Sequence, residues 1–522
     1  MIELNLIGFS TSGRGDTFTT GMNPATGEAL SGQFPGATID EVNQAVTSAQ
    51  DAAVVYGKMS GEEKAEFLNA IAEEIENLGD TLVERCCAES GLPEARIIGE
   101  RGRTTGQLRM FADLISEGSW LEATIDTAQK DRAPVPKPDL RRMLVPMGPV
   151  VVFAASNFPL AFSTAGGDTA SALAGGNPVI VKAHGAHPGT SAMIGEAIVK
   201  SAKRTGMPHG VFSLLHGSGK IVGQGLIQHP GIKAAGFTGS EQAGRTLYDL
   251  ANQRPEPIPF FAEMGSVNPV LLLPSAFNSE TADMLAGSIT MGVGQFCTNP
   301  GLIISTAGSD LDHFIQMLGA ALSQLESGVM LTERICKSYQ DGVESTLSQQ
   351  GITVEARSEN GDGPNMGQPT LASVAGQTFL ADPELATEVF GPFSMVVKCK
   401  DNAELEAAIG LLDGQLTGSV IGSKDELDQY HAAIETMESK VGRIIYNGVP
   451  TGVEVCPSMQ HGGPYPAASD ARFTSVGTGA IKRFVRPIAF QSWPQEKLPR
   501  ELQDGNPMNI WRLVNGNLSK DS

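Results

Sequence analysis

The chain is 522 residues long, 41% hydrophobic and 18% charged, which suits two or three globular units and excludes a fibrous or low-complexity chain. Its 37 basic residues against 58 acidic ones leave a formal charge of −21, a field that repels polyanions and makes nucleic acid and anionic membranes poor partners. Six scattered cysteines, with no C-x-x-C pair and no Cys/His cluster, provide no zinc-type spacing, no predicted metal site and no disulfide framework.

The N-terminal stretch MIELNLIGFSTSGRGD lacks a basic segment followed by an apolar one. No run of about 18 apolar residues appears either, so a reduced, cytoplasmic protein is expected. Residues 39–120 carry apolar side chains at helical spacing and read mostly as helix. DTAQKDRAPVPKPDLRRMLVPMGPV follows, with five prolines, and reads as an extended excursion or edge hairpin. From Val150 short β-branched runs (VVVFAAS, NPVIVKA, GVFSLLHG, IKAAGFTGS) alternate with helical segments, which predicts a doubly wound α/β unit. A second alternation begins at PFFAEMGSVNPVLLLP, passes through a helical LAGSITMGVGQ up to Cys297, and continues with GLIIST, FSMVVKC, GSVIGS and GRIIYN. The tail IKRFVRPIAFQSWP reads as one more strand, with the proline-rich excursion as its partner.

Four motifs carry candidate chemistry. Asn157 follows one strand and Lys182 ends the next, at the strand ends where parallel sheets bind ligands; a turn asparagine and a surface lysine are the plain alternatives. AAGFTGSEQAGR is a strand, a glycine turn and a helix start, suited to phosphate. Glu263 in FFAEMGSVNP sits in an apolar stretch where desolvation would raise it into the range of a general base; a salt-bridged structural glutamate is the alternative. Cys297, in GQFCTNPG, is by composition alone a buried thiol, a redox or metal cysteine, or a nucleophile.

The order Asn157, Lys182, FTGS, Glu263, Cys297 and then Glu388 in TEVFGPF resembles the NAD(P)-dependent aldehyde dehydrogenase superfamily over nearly the whole chain. AASNFPLAFSTAGGDTASALAGG, VKAHGAHPGT, FAEMGSVNP and MQHGGPYPA are most similar to the branch of bacterial α-ketoglutarate semialdehyde dehydrogenases and NADP-dependent fatty aldehyde dehydrogenases. The resemblance implies an α/β fold with a Rossmann-like cofactor domain (1–125 and 146–262), a catalytic α/β domain (263–460), and a small oligomerisation β-hairpin and strand (126–145 and 480–495). Segments 461–479 and 496–522 would pack on the body or on a partner subunit, and a homodimer or homotetramer is implied.

The same resemblance assigns roles. Cys297 attacks the aldehyde, and the side-chain amide of Asn157 and the backbone N–H of Cys297 hold the oxyanion. Hydride loss leaves a thioester, and Glu263 activates the water that hydrolyses it. His461, in MQHGGPYPA, stands near the cysteine and either activates it or only lines the tunnel. Lys182 binds the adenosine ribose, Phe237 borders the nicotinamide, Ser240 meets the pyrophosphate, and Glu388 holds the nicotinamide ribose with Phe390 packed nearby. Phe153, Ala155, Ser156, His184, Gly185, Gly223, Thr238, Gly239, Ala243, Met264 and Gly265 complete the expected cofactor site.

Gly185 stands where NAD-preferring members carry a glutamate, and Lys220 is placed to pair with a 2′-phosphate, so NADP is expected ahead of NAD. The usual glycine-glycine-lysine after the glutamate is here Gly265-Ser266-Val267, and the usual tryptophan before Asn157 is Ser156, both shared with the closer branch. Arg103 or Gln107, on the helix ERGRTTGQLRMFADL, is a candidate for a substrate carboxylate, while Phe296 and Thr298 are candidate pocket walls. The expected reaction is oxidation of 2,5-dioxopentanoate to 2-oxoglutarate. The alternatives are a long-chain or other aliphatic aldehyde, a CoA-acylating oxidation, or a silent protein on the same fold.

Overall fold

The N-terminal helices start where their sequence supplies caps. Thr38 with Glu41, and Ser60 with Glu63, form reciprocal capping boxes that satisfy the first free N–H groups of Ile39–Tyr56 and Gly61–Asn77. Gly79–Ser90 and the long helix Glu94–Glu117 follow; the latter packs on Gly61–Asn77 and stops at Gly118 in the left-handed region. This computed structural model describes residue 1 and residues 3–521; Ile2 and Ser522, which fall within two of the expected segments, lie outside the described residues.

A seven-stranded sheet holds the five parallel strands Phe260–Glu263, Ala234–Thr238, Val150–Phe153, Val179–Lys182 and Phe212–Leu215, in that spatial order. Asn5–Ile7 and Ser10–Ser12 extend it antiparallel beyond Phe212–Leu215. Val150–Phe153 is buried on both faces, as its unbroken VVVF run requires of a strand between helix layers. The strand order reverses between Val150–Phe153 and Ala234–Thr238, so a crevice opens beyond Phe153 and Phe237, whose rings lie 6.1 Å apart.

A second seven-stranded sheet runs Thr353–Arg357, Thr370–Ala375, Phe393–Cys399, Leu302–Thr306, Val270–Leu272, Gln415–Ile421 and Val441–Tyr446; only the first is antiparallel to its neighbour. PFFAEMGSVNPVLLLP therefore does not belong to one unit. Phe260–Glu263 closes the first sheet and Val270–Leu272 opens the second, because Asn268 at φ 48° followed by Pro269 breaks the extended run between them.

A third sheet of five strands pairs Val485–Gln491 antiparallel with Leu140–Pro146, which in turn pairs with Thr124–Asp126. Arg512–Val514 and Asn517–Ser519 add to the same sheet as a hairpin around Asn515-Gly516, both at positive φ. An Asn-Gly pair between short apolar runs is a strong hairpin signal, and it makes the last part of 496–522 sheet where only a packing segment was expected.

Candidate active site

The expected helix into Cys297 stops early. The α-helix Ser279–Thr290 ends, and Gly292, Val293 and Gly294 turn left-handed at φ 57°, 58° and 64°. A β-branched residue at positive φ is costly, and such backbone persists only where its surroundings over-determine it. Here Gln295 Nε2 donates to Gly292 O at 3.2 Å and Gly294 lies against the Gly391 backbone, while beyond the turn the buried side-chain amide of Asn268 donates to the carbonyls of Cys297 and Asn299, both at 2.9 Å, and of Ser266 at 3.1 Å. Gln415 Oε1 accepts from Val267 N, Asn268 N and Ser266 Oγ, which anchors the segment that carries Asn268.

Three side chains meet at the resulting recess. Cys297 Sγ lies 3.5 Å from His461 Nε2, and the same nitrogen lies 3.0 Å from Glu263 Oε1. Glu263 ends the edge strand of the first sheet, while His461 arrives on the segment that bridges back to that strand through Ala467 and Ala468. Ser475 Oγ donates to Glu263 Oε2 at 2.7 Å, and Thr474 Oγ1 accepts from His461 N at 2.9 Å, so both partners are fixed. Asn157 Nδ2 donates to Gln295 O at 3.1 Å. An amide has two N–H bonds, so a second donor is left for the recess.

The electrostatics separate the two acids. Burial pushes the Glu263 carboxyl up, but the charge and hydrogen bond of His461, the Ser475 hydroxyl and the Cys297 thiol outweigh it, and the carboxyl lies below its ordinary range. The upward shift expected from its apolar sequence is thus reversed, because that reading saw the desolvation and not the three donors. Desolvation pushes the Cys297 thiol well above its ordinary value; Glu263 and Glu388 add to this, and Arg103 opposes it.

Along the crevice of the first sheet, Lys182 ends its strand with its ammonium pushed down to about 8 by burial. Ser240 caps the exposed start of helix Glu241–Asn252, its Oγ accepting from Ala243 N, directly after Thr238 and Gly239. Glu388 lies against Gly265, where an added Cβ would come within 2.7 Å of its Oε2, and burial pushes this carboxyl up to about 8. A buried cation and a desolvated carboxyl beside an open helix N-terminus fit a ligand bearing ribose hydroxyls and phosphates. Gly223 faces Phe153, and Met264, with its N–H held by Ala467 O, packs over Gly244. The Ala155 carbonyl is engaged by His187 Nε2 at 2.9 Å, and Ser156 follows it half-buried. His184 stacks on His187, Gly185 is exposed, and Lys220 is exposed without an ion pair among the described residues. Phe390 lines a small cleft with Glu388, Phe296 and Asn299.

The aldehyde dehydrogenase family profile matches residues 11–465. The chain belongs to the aldehyde dehydrogenase family. It is 48% identical to α-ketoglutaric semialdehyde dehydrogenase 2 of Azospirillum brasilense over 95% of both chains. It is 46% identical to the α-ketoglutaric semialdehyde dehydrogenase of Acinetobacter baylyi, over 94% of this chain and 93% of the relative. Among solved structures, betaine aldehyde dehydrogenase of Staphylococcus aureus in complex with NAD+ superposes with a TM-score of 0.81 at 18% identity, covering 94% of this chain and 95% of that one. A Thermus 1-pyrroline-5-carboxylate dehydrogenase with bound NAD superposes at 0.78 and 21% identity, covering 94% and 92%. These two show the shared fold. As a family member the protein oxidises aldehydes to acids with NAD(P).

The chain around Phe296 in this aldehyde dehydrogenase is apolar with embedded cations. Phe158, Phe162 and Phe296 pack in one buried cluster, and Arg96 stacks over Phe158 and Phe296 at 4.4 and 4.7 Å. Arg103 lies over Phe162 at 5.5 Å, with Nε and Nη2 buried and unpartnered among the described residues; Gln107 Nε2, one turn on, is also unpartnered. Arg109, by contrast, is spent on Glu76. Thr298 is fully buried, with its hydroxyl unpartnered among the described residues. Sequence reading passed over Asn268, Gln415, Ser475 and Arg443, whose charge also acts on Cys297. Asn268 alone carried a signal, in the Asn-Pro of FFAEMGSVNP; the others reach the site from distant strands and loops.

Proposed function

We propose that this enzyme oxidises 2,5-dioxopentanoate to 2-oxoglutarate, with NADP ahead of NAD, as a homodimer or homotetramer. The observation that carries the substrate is Arg103: a buried guanidinium with two unpaired nitrogens, whose charge acts on Cys297, suits a short aldehyde ending in a carboxylate. The two relatives named for this semialdehyde support the same reading. The phenylalanine cluster favours the second reading, a longer aliphatic aldehyde.

Cys297 Sγ adds to the aldehyde carbon while its proton passes to the Glu263 carboxylate, by way of the His461 Nε2 that lies 3.5 Å from the sulfur and 3.0 Å from Glu263 Oε1. The oxyanion receives the free N–H of Asn157 and the Cys297 backbone N–H. A nicotinamide dinucleotide would be held by Lys182 at the adenosine ribose, Ser240 at the pyrophosphate and Glu388 at the nicotinamide ribose, and would supply the hydride acceptor. The proton taken from Cys297 leaves to solvent, and the Glu263 carboxylate, held below its ordinary range, then draws a proton from water so that the thioester is hydrolysed without CoA. Gly185, which carries no carboxylate, and unpaired Lys220 support NADP.

The test is kcat/KM for semialdehydes and aliphatic aldehydes with each cofactor, with and without CoA. The expected order is 2,5-dioxopentanoate over hexanal and NADP over NAD, independent of CoA. Hexanal ahead would replace the substrate reading, NAD ahead the cofactor reading, and dependence on CoA the hydrolytic step.

A further inference from the structure

The three groups at the centre of the site form more than a proton relay. Cys297 Sγ, His461 Nε2 and a Glu263 carboxylate oxygen all lie within 4.8 Å of one another, so a thiol, an imidazole and a carboxylate converge on one recess. Tetrahedral zinc bonded to sulfur and to nitrogen sets those two atoms about 3.6 Å apart, and nitrogen and oxygen about 3.3 Å apart. The observed sulfur–nitrogen and nitrogen–oxygen separations are 3.5 and 3.0 Å, close to those two spans.

We infer that this triad is an inhibitory binding site for a thiophilic divalent cation, Zn²⁺ above all. The ion would be held by Cys297, His461 and Glu263 with a fourth position left for solvent. The inhibition rests on the catalytic reading above; the binding does not.

Charge and donor chemistry both favour it. A thiolate and a carboxylate neutralise the dication, so the occupied recess carries no net charge from these groups. Sulfur and imidazole select zinc-like ions over Mg²⁺ and Ca²⁺, which prefer oxygen donors. Ser475 holds the second carboxylate oxygen of Glu263 and Thr474 holds the His461 backbone, so two of the three ligands are already oriented. His461 Nδ1 is buried with no partner among the described residues, so the outward proton of a metal-bound imidazole finds no acceptor. That weakens the site relative to a resident zinc centre and fits reversible inhibition. Binding is redox-neutral: the Cys297 S–H proton leaves to solvent as the metal–sulfur bond forms. The ion then occupies the sulfur lone pair that attacks the aldehyde and the imidazole nitrogen that takes the proton.

The experiment uses the full chain, freed of metal by chelator and kept in a non-thiol reductant. Competition against a chromophoric chelator is expected to show one Zn²⁺ bound per chain, and Co²⁺ to give a near-ultraviolet thiolate-to-metal band. Saturating Zn²⁺ is expected to lower aldehyde oxidation roughly tenfold or more, reversibly on adding EDTA, with Mg²⁺ inert. His461→Gln and Glu263→Gln should each weaken Zn²⁺ binding by roughly tenfold or more. Cys297→Ser should abolish the Co²⁺ band, while Cys456→Ser should leave it unchanged. The proposal is overturned by Co²⁺ binding without the band in the unmodified chain, by a band that survives Cys297→Ser, or by unchanged affinity in folded His461→Gln. If the triad binds metal as described but no aldehyde is oxidised with either cofactor, the proposed function falls and the metal site stands. Turnover insensitive to bound Zn²⁺ overturns the inhibition alone.

Discussion

At rest the Cys297 thiol is protonated, because its desolvated recess and the neighbouring Glu263 and Glu388 all oppose the thiolate. Its alkylation by iodoacetamide is therefore expected to accelerate continuously from about pH 7 to 9 with no plateau. The Arg103 charge favours the thiolate, so Arg103→Gln should slow alkylation and raise KM for a carboxylate-bearing aldehyde more than for hexanal. Glu263→Gln should lower kcat by about 10²–10⁴-fold and accumulate the thioester, detectable by mass spectrometry of the intact chain. Glu388 supplies a stability signature. Its folded carboxyl stays protonated up to about 8 while an unfolded one ionises near its ordinary 4.5, so the folded state binds the extra proton between these values. Stability of the cofactor-free protein should thus fall as pH rises through that window, and Glu388→Gln should flatten the decline in Tm.

The element that delivers the sulfur is the left-handed turn after helix Ser279–Thr290, and it tolerates little. A Cβ on Gly294 would come within 2.2 Å of the Gly391 backbone, at a φ of 64° that side chains avoid. Gly294→Ala should cost a few kcal/mol of stability and most of kcat, read by thermal melting and steady-state rates. Asn268→Ala removes a donor from three carbonyls, two of them on the Cys297 loop, and should lower kcat far more than it changes KM for the cofactor. These elements mark the edge of what the sequence disclosed. The strand-helix alternation from Val150 was legible because buried β-branched runs leave few other conformations. The end of the helix before Cys297 was not, because MGVG keeps an apolar, small-residue pattern while its left-handed turn packs against Gly328, Gly367 and Gly391, far along the chain.

At the scale of the molecule, the third sheet carries Trp511, Leu513 and Leu518 at 47%, 39% and 68% exposure, more apolar surface than an isolated sheet edge keeps. In the proposed oligomer this sheet forms the interface, so light scattering should show a dimer or tetramer, and Trp511→Asp with Leu518→Asp should shift it toward monomer. Among the described residues no helix is long and apolar enough to cross a membrane. By itself the sequence determined the α/β class, the pairing partner of the tail strand, and the identities of Cys297, Glu263, Asn157 and His461 as the residues to examine, because local periodicity and an ordered motif set survive in one dimension. Tertiary structure decided what those residues are to one another. It turned Glu263 downward in pKa where its apolar neighbours suggested the reverse, set His461 between carboxylate and sulfur, and brought together three metal-type donors separated by 34 and 164 positions in the chain. Proton affinity and ligand geometry depend on distances through space, and the chain order carries none of them.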